Sequence, residues 1–155
     1  MAGEPHDPAI HIRDAKVEDI DRLVAIEDKA FATDRISRRS FRRQIASPTL
    51  ALVVALFDRT VHGYVLVAFR KGVHHARIYS LAVDRAHGRG LGRRLMAAAE
   101  ALARTRGLAT MRLEVNEANH RAIGIYERGG YVKIGRRDDY YEDGAAALLY
   151  EKRLA

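Results

Sequence analysis

The chain has 155 residues, of which 48% are hydrophobic and 30% charged, a balance that predicts one ordinary hydrophobic core. It has no cysteine, which excludes disulfides, thiolate metal sites and an acyl-cysteine intermediate. The formal net charge of +7 is compatible with an anionic cofactor, an acidic peptide or a nucleic acid. Because no apolar run approaches membrane-spanning length and the N-terminus lacks a signal-peptide pattern, we expect a cytoplasmic protein without a membrane partner.

The first half of the chain predicts a leader, one strand, two helices and three strands. We expect residues 1–9 to be a flexible leader and residues 10–155 to form a single domain. A strand at 10–13 precedes an amphipathic helix at 17–30, and Ser37 caps a second helix that ends before Pro48. Turns at 58–62 and at Gly72 separate strands at 50–57, 63–71 and 73–83, which predicts antiparallel hairpins.

The second half predicts two further helices that alternate with strands. One helix follows a glycine-rich turn and has its apolar residues on one face: Leu91, Leu95, Ala98, Ala99 and Leu102. An alternating strand covers 110–116, Asn119 caps a helix that ends at Gly129, and strands follow at 131–136 and 146–152. The order β-α-α-β-β-β-α-β-α-β-β predicts an α/β fold (an α+β mixed sheet) with one parallel crossover between antiparallel flanks.

The glycine-rich turn contains Gly88, Gly90 and Gly92 between a strand and a helix. Small residues allow backbone N–H groups to approach a ligand, and a helix start supplies unpaired donors, so the turn suits a phosphate group. The dinucleotide motif fails, because Arg93 and Leu95 stand where it requires glycine, and no P-loop sequence occurs. Without further context, the turn is equally consistent with a tight strand-to-helix connection.

The segment Leu81-Ala-Val, followed by His87-Gly-Arg-Gly-Leu-Gly-Arg-Arg-Leu, resembles the acetyl-CoA motif of the GNAT superfamily of N-acetyltransferases. Gly90 and Gly92 match its two small positions, whereas His87 replaces the usual Gln or Arg in a turn about one residue shorter. The resemblance covers roughly residues 10–153 and implies the GNAT fold. It also implies that acetyl-CoA contacts the following residues: Leu81, Ala82, Val83, His87, Gly88, Arg89, Gly90, Leu91, Gly92, Arg93, Asn119 and Tyr126.

The segment 113–131 is similar to the run L-E-V-x-x-x-N-x-x-A-x-x-x-Y-x-x-x-G-[F/Y] of the subgroup that acetylates protein N-termini. The namesake members of that subgroup modify the N-terminal alanine of a ribosomal protein. The resemblance implies direct attack by the amine, with Glu114 as the base, directly or through water, and Tyr126 as the acid. Backbone N–H groups of residues 81–83 would polarise the thioester carbonyl. The residues alone equally allow an exposed strand carboxylate at Glu114 and a core aromatic at Tyr126.

The acceptor is predicted from the resemblance of segment 136–141 to the same subgroup. We expect the N-terminal α-amine of a peptide or protein, with ribosomal proteins among the candidate acceptors, and with Tyr140 and Tyr141 bracketing the peptide backbone. Acidic residues of the same loop would attract the cationic amine: Asp138, Asp139, Glu142 and Asp143. Basic residues around the second helix form either a solvated face or a landing surface for an acidic partner or for RNA on a ribosome: Arg35, Arg38, Arg39, Arg42 and Arg43.

Three alternatives remain open at this point. The first is a lysine or small-molecule amine acetyltransferase on the same fold, and the second is a non-catalytic acyl-CoA-binding domain. The third, a nucleic-acid-binding protein, is disfavoured because no recognisable motif or aromatic interleaving accompanies the basic residues. We expect no metal site, since the adjacent His74 and His75 point to opposite faces of a strand. The residues leave the acceptor's identity and the oligomeric state undetermined.

Overall fold

The computed structural model describes residues 10–32, 35–84 and 90–154. The expected leader at 1–9 and the turn residues His87, Gly88 and Arg89 lie outside the described residues. The secondary structure elements are β1 (Ile10–Asp14), α1 (Ile20–Ala30), α2 (Arg38–Ala46), β2 (Leu50–Phe57), β3 (Thr60–Phe69), β4 (His75–Val83), α3 (Leu91–Thr105), β5 (Thr110–Asn116), α4 (His120–Arg128), β6 (Val132–Arg137) and β7 (Ala147–Arg153). The predicted order of strands and helices is confirmed.

The seven strands of the described chain form one mixed sheet in the order β1-β2-β3-β4-β5-β7-β6. Within this sheet β4 and β5 pair in parallel, whereas the other neighbouring strands pair antiparallel. A parallel pair requires a crossover connection, and α3 supplies it. The predicted single parallel crossover, between antiparallel flanks, is therefore confirmed.

The two central strands separate part of the way along their length. Their parallel register runs from His75–Thr110 to Ile78–Leu113 and ends there. Beyond that point β4 stays paired with β3, and β5 stays paired with β7 as far as Asn116. The β3–β4 register also shifts so that Tyr79 is an extra residue in β4. Such a bulge bends the strand, which opens a cleft between the carboxyl ends of β4 and β5.

The bulge also reverses which side chains of β4 point to each face of the sheet. Ala76 and Ile78 lie in the core that α3 covers, whereas Ala82 lies in the core that α1 and α2 cover. Side chains alternate with a period of two along a strand, so one extra residue moves every later side chain to the opposite face. Tyr79 itself is exposed at this switch. Leu81 and Val83 consequently contact the α3 side, beside the start of that helix.

Two predicted boundaries are corrected by the structure. The turn after β2 is only Asp58 and Arg59, both with positive φ (53° and 68°), so β3 already begins at Thr60. A two-residue hairpin turn needs such angles to match the strand twist. The first helix begins with a 3₁₀ turn at Val17–Asp19 rather than an α-helical turn.

No described helix has the length and apolar character that crossing a membrane requires.

Candidate active site

The start of α3 forms one end of the site. Gly90 is its N-cap with φ of 70°, a left-handed conformation that glycine adopts without steric cost. The amide of Arg94 donates to the Gly90 carbonyl at 3.2 Å. The backbone N–H groups of Leu91, Gly92 and Arg93 precede this first helical hydrogen bond and are therefore available to a ligand. This geometry fits an anion at the positive end of the helix dipole.

A basic cavity lies beside this helix start. It measures about 620 Å³ and lies between α3 and α4, where a Cβ added to Gly92 would lie 3.2 Å from Ile125 Cδ1. Glycine at this position therefore allows the two helices to approach closely. Four cationic side chains line the cavity, against the carboxylate of Glu100: Arg93, Arg121, Arg128 and Lys152. The excess of positive charge suits a polyanionic ligand.

A second cavity of about 490 Å³ continues from the first into the gap between the strands. Leu81, Ala82 and Val83 of β4 line it, together with residues of α1 and α4. It shares Val83 and Ile125 with the basic cavity. Asn119 also lines it and caps α4 by accepting a hydrogen bond from the Ala122 amide at 3.1 Å, so the predicted cap is confirmed.

The third cavity of about 600 Å³ shares Leu81 and Asn119 with the second, and residues of both β4 and β5 line it. The structure brings Glu114, Tyr126, Tyr140 and Tyr141 together in its walls. Three carboxylate residues and one arginine are among its lining residues: Glu27, Glu114, Asp143 and Arg77. The three cavities therefore form one path from the start of α3, through the divided sheet, to a predominantly acidic cleft.

The acidic loop residues do not all reach this cleft. Asp143 lines it, whereas Asp138 accepts a hydrogen bond from Arg136 Nε at 2.7 Å. Tyr140 and Tyr141 pack edge to face with their ring centroids 5.0 Å apart. Adjacent phenol rings of this kind provide two apolar surfaces and two polar hydroxyl groups for an extended peptide.

Glu114 is held by groups from three elements. Its Oε1 accepts hydrogen bonds from Arg77 Nη2 of β4 and from the Tyr140 hydroxyl, the latter at 2.9 Å. Its Oε2 lies 3.4 Å from Nη1 of Arg137, at the end of β6. The Glu114 side chain is only 10% exposed. Two guanidinium groups therefore compensate a carboxylate that is largely removed from bulk water.

Tyr126 reaches the same cleft from α4. Its ring is 5% exposed and packs 6.0 Å from the ring of Tyr131, so it is part of the core as well as of the cleft wall. Burial, and secondarily the nearby Tyr141, raise the pKa of the Tyr126 hydroxyl well above its usual value. The hydroxyl therefore stays protonated at neutral pH and can donate a hydrogen bond or a proton.

A different carboxylate lies at the floor of the cleft. Glu27 of α1 accepts a hydrogen bond from the Tyr64 hydroxyl and another from the Ile36 amide at 2.7 Å. The Tyr64 hydroxyl also lies 2.8 Å from Ser80 Oγ. Burial raises the pKa of Glu27, although these two hydrogen bonds oppose that shift. The Glu27 carboxylate joins α1, β3 and the segment before α2 at the base of the cleft.

Sequence reasoning identified Glu114 and Tyr126 but missed Arg77 and Glu27. Arg77 is one of many arginines, and the face alternation of β4 and β5 is the only sequence signal that could have linked it to Glu114. Glu27 lies in an amphipathic helix where a charged residue ordinarily faces solvent. Within the described ranges, the structure contains no group of three potential metal-ligating side chains.

Residues 20–131 match the profile of the acetyltransferase (GNAT) family. The N-alpha-acetyltransferase RimI of Mycobacterium tuberculosis is 32% identical over 139 residues, which cover 87% of this chain and 86% of that protein. The crystal structure of the ribosomal-protein-S18-alanine N-acetyltransferase from Escherichia coli superposes with a TM-score of 0.82 at 25% identity, covering 94% of each chain. Ard1 from Thermoplasma volcanium gives a TM-score of 0.85 at 25% identity, covering 95% of this chain and 99% of that one.

Proposed function

The chain belongs to the acetyltransferase (GNAT) family, and from this premise we propose that it acetylates the N-terminal α-amine of a peptide or protein. Acetyl-CoA is the proposed acetyl donor. The observation that carries the proposal is the convergence of Glu114 and Tyr126 on one acidic cleft, which continues through the divided sheet to the basic start of α3. A protein that only bound acyl-CoA would not require this pair of side chains on the acceptor side.

The residues along the path fit acetyl-CoA. The N–H groups at the start of α3 and the guanidinium groups of Arg93 and Arg121 suit its phosphates. The second cavity, lined by Leu81, Ala82 and Val83, suits its uncharged arm. Acetyl-CoA supplies the thioester that an amine can attack. Because the β4–β5 register ends at Ile78, the edge of β4 at residues 81–83 can offer backbone N–H groups to the thioester carbonyl.

We assign the proton transfers to Glu114 and Tyr126. An α-amine has a pKa of about 8, and a lysine amine about 10.4, so an α-amine requires less help to lose its proton. Glu114 accepts that proton, directly or through water, as the amine nitrogen forms a bond to the carbonyl carbon. When the carbon–sulfur bond breaks, Tyr126 stabilises the departing thiolate through its hydroxyl proton.

The acceptor is proposed from the shape and charge of the cleft. Tyr140 and Tyr141 provide surfaces and hydroxyl groups for an extended backbone, and Asp143 attracts a cationic amine. Arg39, Arg42 and Arg43 are exposed on α2, which packs beside the cleft floor, and would favour acidic residues further along the acceptor. The relatives named for ribosomal-protein acetylation support a ribosomal protein as one candidate acceptor.

Binding of acetyl-CoA is the first test. Thermal melts with and without acetyl-CoA should show stabilisation, because a ligand that binds only the folded state raises the melting temperature. Desulfo-CoA is the appropriate second ligand, since it retains the phosphates but cannot transfer an acetyl group. Absence of a shift at millimolar ligand, together with no heat of binding in calorimetry, would contradict the proposed donor.

The acceptor requires a competition experiment. Peptides of one sequence, with a free or a blocked N-terminus and with one internal lysine, are mixed with the enzyme and acetyl-CoA. We expect release of free CoA and acetylation at the α-amine of the unblocked peptide alone. Equal acetylation of both peptides at lysine would instead identify a lysine acetyltransferase. No CoA release with peptides or small amines would favour the acyl-CoA-binding alternative.

A further inference from the structure

Arg77 lies in the cleft with one of its side-chain nitrogen atoms unpaired within the described part of the chain. Its Nη2 donates to Glu114, and its guanidinium group lies 5.7 Å from the centre of the Tyr79 ring. Its Nε is buried and has no hydrogen-bond partner among the described residues. A buried polar atom without a partner costs free energy, so the side chain is held in place by its contact with Glu114.

The contacts of Glu114 are divided unequally between its two oxygens. Arg77 and the Tyr140 hydroxyl both donate to Oε1, whereas Oε2 has the longer contact of 3.4 Å with Arg137. Solvent screens both guanidinium groups, since the Arg77 side chain is 43% exposed and the Arg137 side chain 59% exposed, so the two contacts differ mainly in distance. Two donors therefore fix Oε1, which leaves Oε2 better placed to accept a proton.

We infer that Arg77 is a positioning residue that, together with the Tyr140 hydroxyl, fixes Oε1 of Glu114 and so presents Oε2 to the acceptor amine. This inference rests on the proposed function, in which Glu114 is the base. The groups that face Glu114 are Arg77 from β4, Arg137 from β6 and Tyr140 from the loop before β7. Other titratable groups line the same cleft: Glu27, Tyr79, Tyr126, Tyr141 and Asp143. Among these, Arg77 is the cation in direct contact with Oε1.

The physical consequence is a base with one oxygen held toward the acceptor. A general base must keep its accepting atom within hydrogen-bond distance of the proton it removes, and a carboxylate that rotates freely loses that geometry. Arg77 and Tyr140 oppose this rotation because both bind Oε1. Loss of Arg77 should therefore lower kcat without a matching change in KM for the acceptor.

The test compares kcat and KM of Arg77→Met with those of Arg112→Met. Arg112 is the parallel register partner of Arg77, lies on the same face of the sheet and pairs with Glu151 at 2.8 Å, but does not line the cleft. We expect Arg77→Met to lower kcat about tenfold while KM for the peptide changes little. Arg77→Lys should recover most of the loss, and Arg112→Met should leave both constants unchanged.

A second measurement separates action through Glu114 from direct contact with the acceptor. In a Glu114→Gln background, Arg77→Met should cause no further loss of kcat, because the group through which it acts is already gone. A raised KM for the peptide with an unchanged kcat would overturn the inference and indicate direct acceptor contact. A further loss of kcat in the Glu114→Gln background would overturn it as well.

The proposed function fails in a different way. It would fail if the wild-type chain acetylated no peptide amine, or if Glu114→Gln alone left kcat unchanged. Failure of the Arg77 inference leaves both of those results intact, since it concerns only the effect of Arg77 on an active enzyme. Circular dichroism and thermal melts of each variant verify that the compared proteins are folded.

Discussion

Glu27 and Glu114 line the same cleft, yet their surroundings differ in charge. Glu27 is 1% exposed and bonded to a phenol hydroxyl and a backbone amide, both neutral groups. Glu114 is bonded to guanidinium groups and to a phenol. The neutral cage of Glu27, formed by its two hydrogen-bond donors, joins elements, while burial raises the pKa of Glu27 against those two hydrogen bonds. The donors to Glu114 fix one of its oxygens, which suits its proposed role as the base.

The largest expected effect comes from Glu114→Gln. This change retains the shape of the side chain but removes the proton acceptor, so kcat should fall by at least about 10²-fold. An assay of free CoA release at saturating acetyl-CoA and peptide gives kcat for the variant and for the wild type. Glu27→Gln is the matched control, since it makes the same chemical change in the same cleft. Equal losses of kcat in the two variants would erase the distinction between the two glutamates.

Tyr126→Phe tests the other half of the proposed chemistry. It retains the ring and its packing against Tyr131 but removes the hydroxyl proton, and we expect kcat to fall roughly 10²-fold with little change in folding. Because burial raises the pKa of Tyr126, removing its hydroxyl should leave the shape of the kcat profile unchanged near neutral pH. Turnover near that of the wild type, where chemistry limits the rate, would assign Tyr126 to the core alone.

For Glu27→Gln, the expected effect is on stability instead of chemistry. A glutamine offers one acceptor oxygen where Glu27 has two, so either the Tyr64 hydroxyl or the Ile36 amide loses its acceptor. We expect the free energy of unfolding to fall by about 1–3 kcal/mol, measured by urea denaturation. Tyr64→Phe provides a control, because it removes the hydroxyl donor while retaining the ring. An unchanged free energy of unfolding in Glu27→Gln would contradict the role of Glu27 in joining α1 to β3 and to the segment before α2.

The smallest effects concern the pH dependence of stability. Glu27 has a raised pKa, so its contribution is present below its unfolded value and is lost as pH rises through its folded value. Asp19 is the opposite case: burial raises its pKa, but the Arg13 side chain and the Lys16 amide outweigh burial and lower it. Its contribution is present above its unfolded value and is lost as pH falls through its folded value.

The destabilisation by Glu27→Gln should therefore shrink as pH rises from acidic to neutral, whereas that by Asp19→Asn should grow. Urea denaturation of both variants and the wild type at a series of pH values measures the two trends. Parallel trends in the two variants would contradict the opposite directions of their pKa shifts.

The helix caps show which features of the fold can be predicted from the sequence. Ser37 and Asn119 were predicted as caps, and the Ser40 and Ala122 amides donate to their side chains at 3.1 Å in both cases. A cap involves residues three apart in the sequence, so a local pattern is enough to identify it. The residues proposed for catalysis and for acetyl-CoA binding stay predictions, which the variants above test.

The sequence by itself determined the order of the elements and the cap residues, because periodicity and caps are local properties, and the family resemblance supplied the prediction of Glu114 and Tyr126. Only the tertiary structure decided the bulge at Tyr79, the bond from Arg77 to Glu114 and the neutral cage of Glu27. Arg77 and Glu114 meet because β4 and β5 pair in parallel, and the Glu27 cage joins α1 to β3. Such contacts depend on strand register and on burial, which residues distant in the chain establish together.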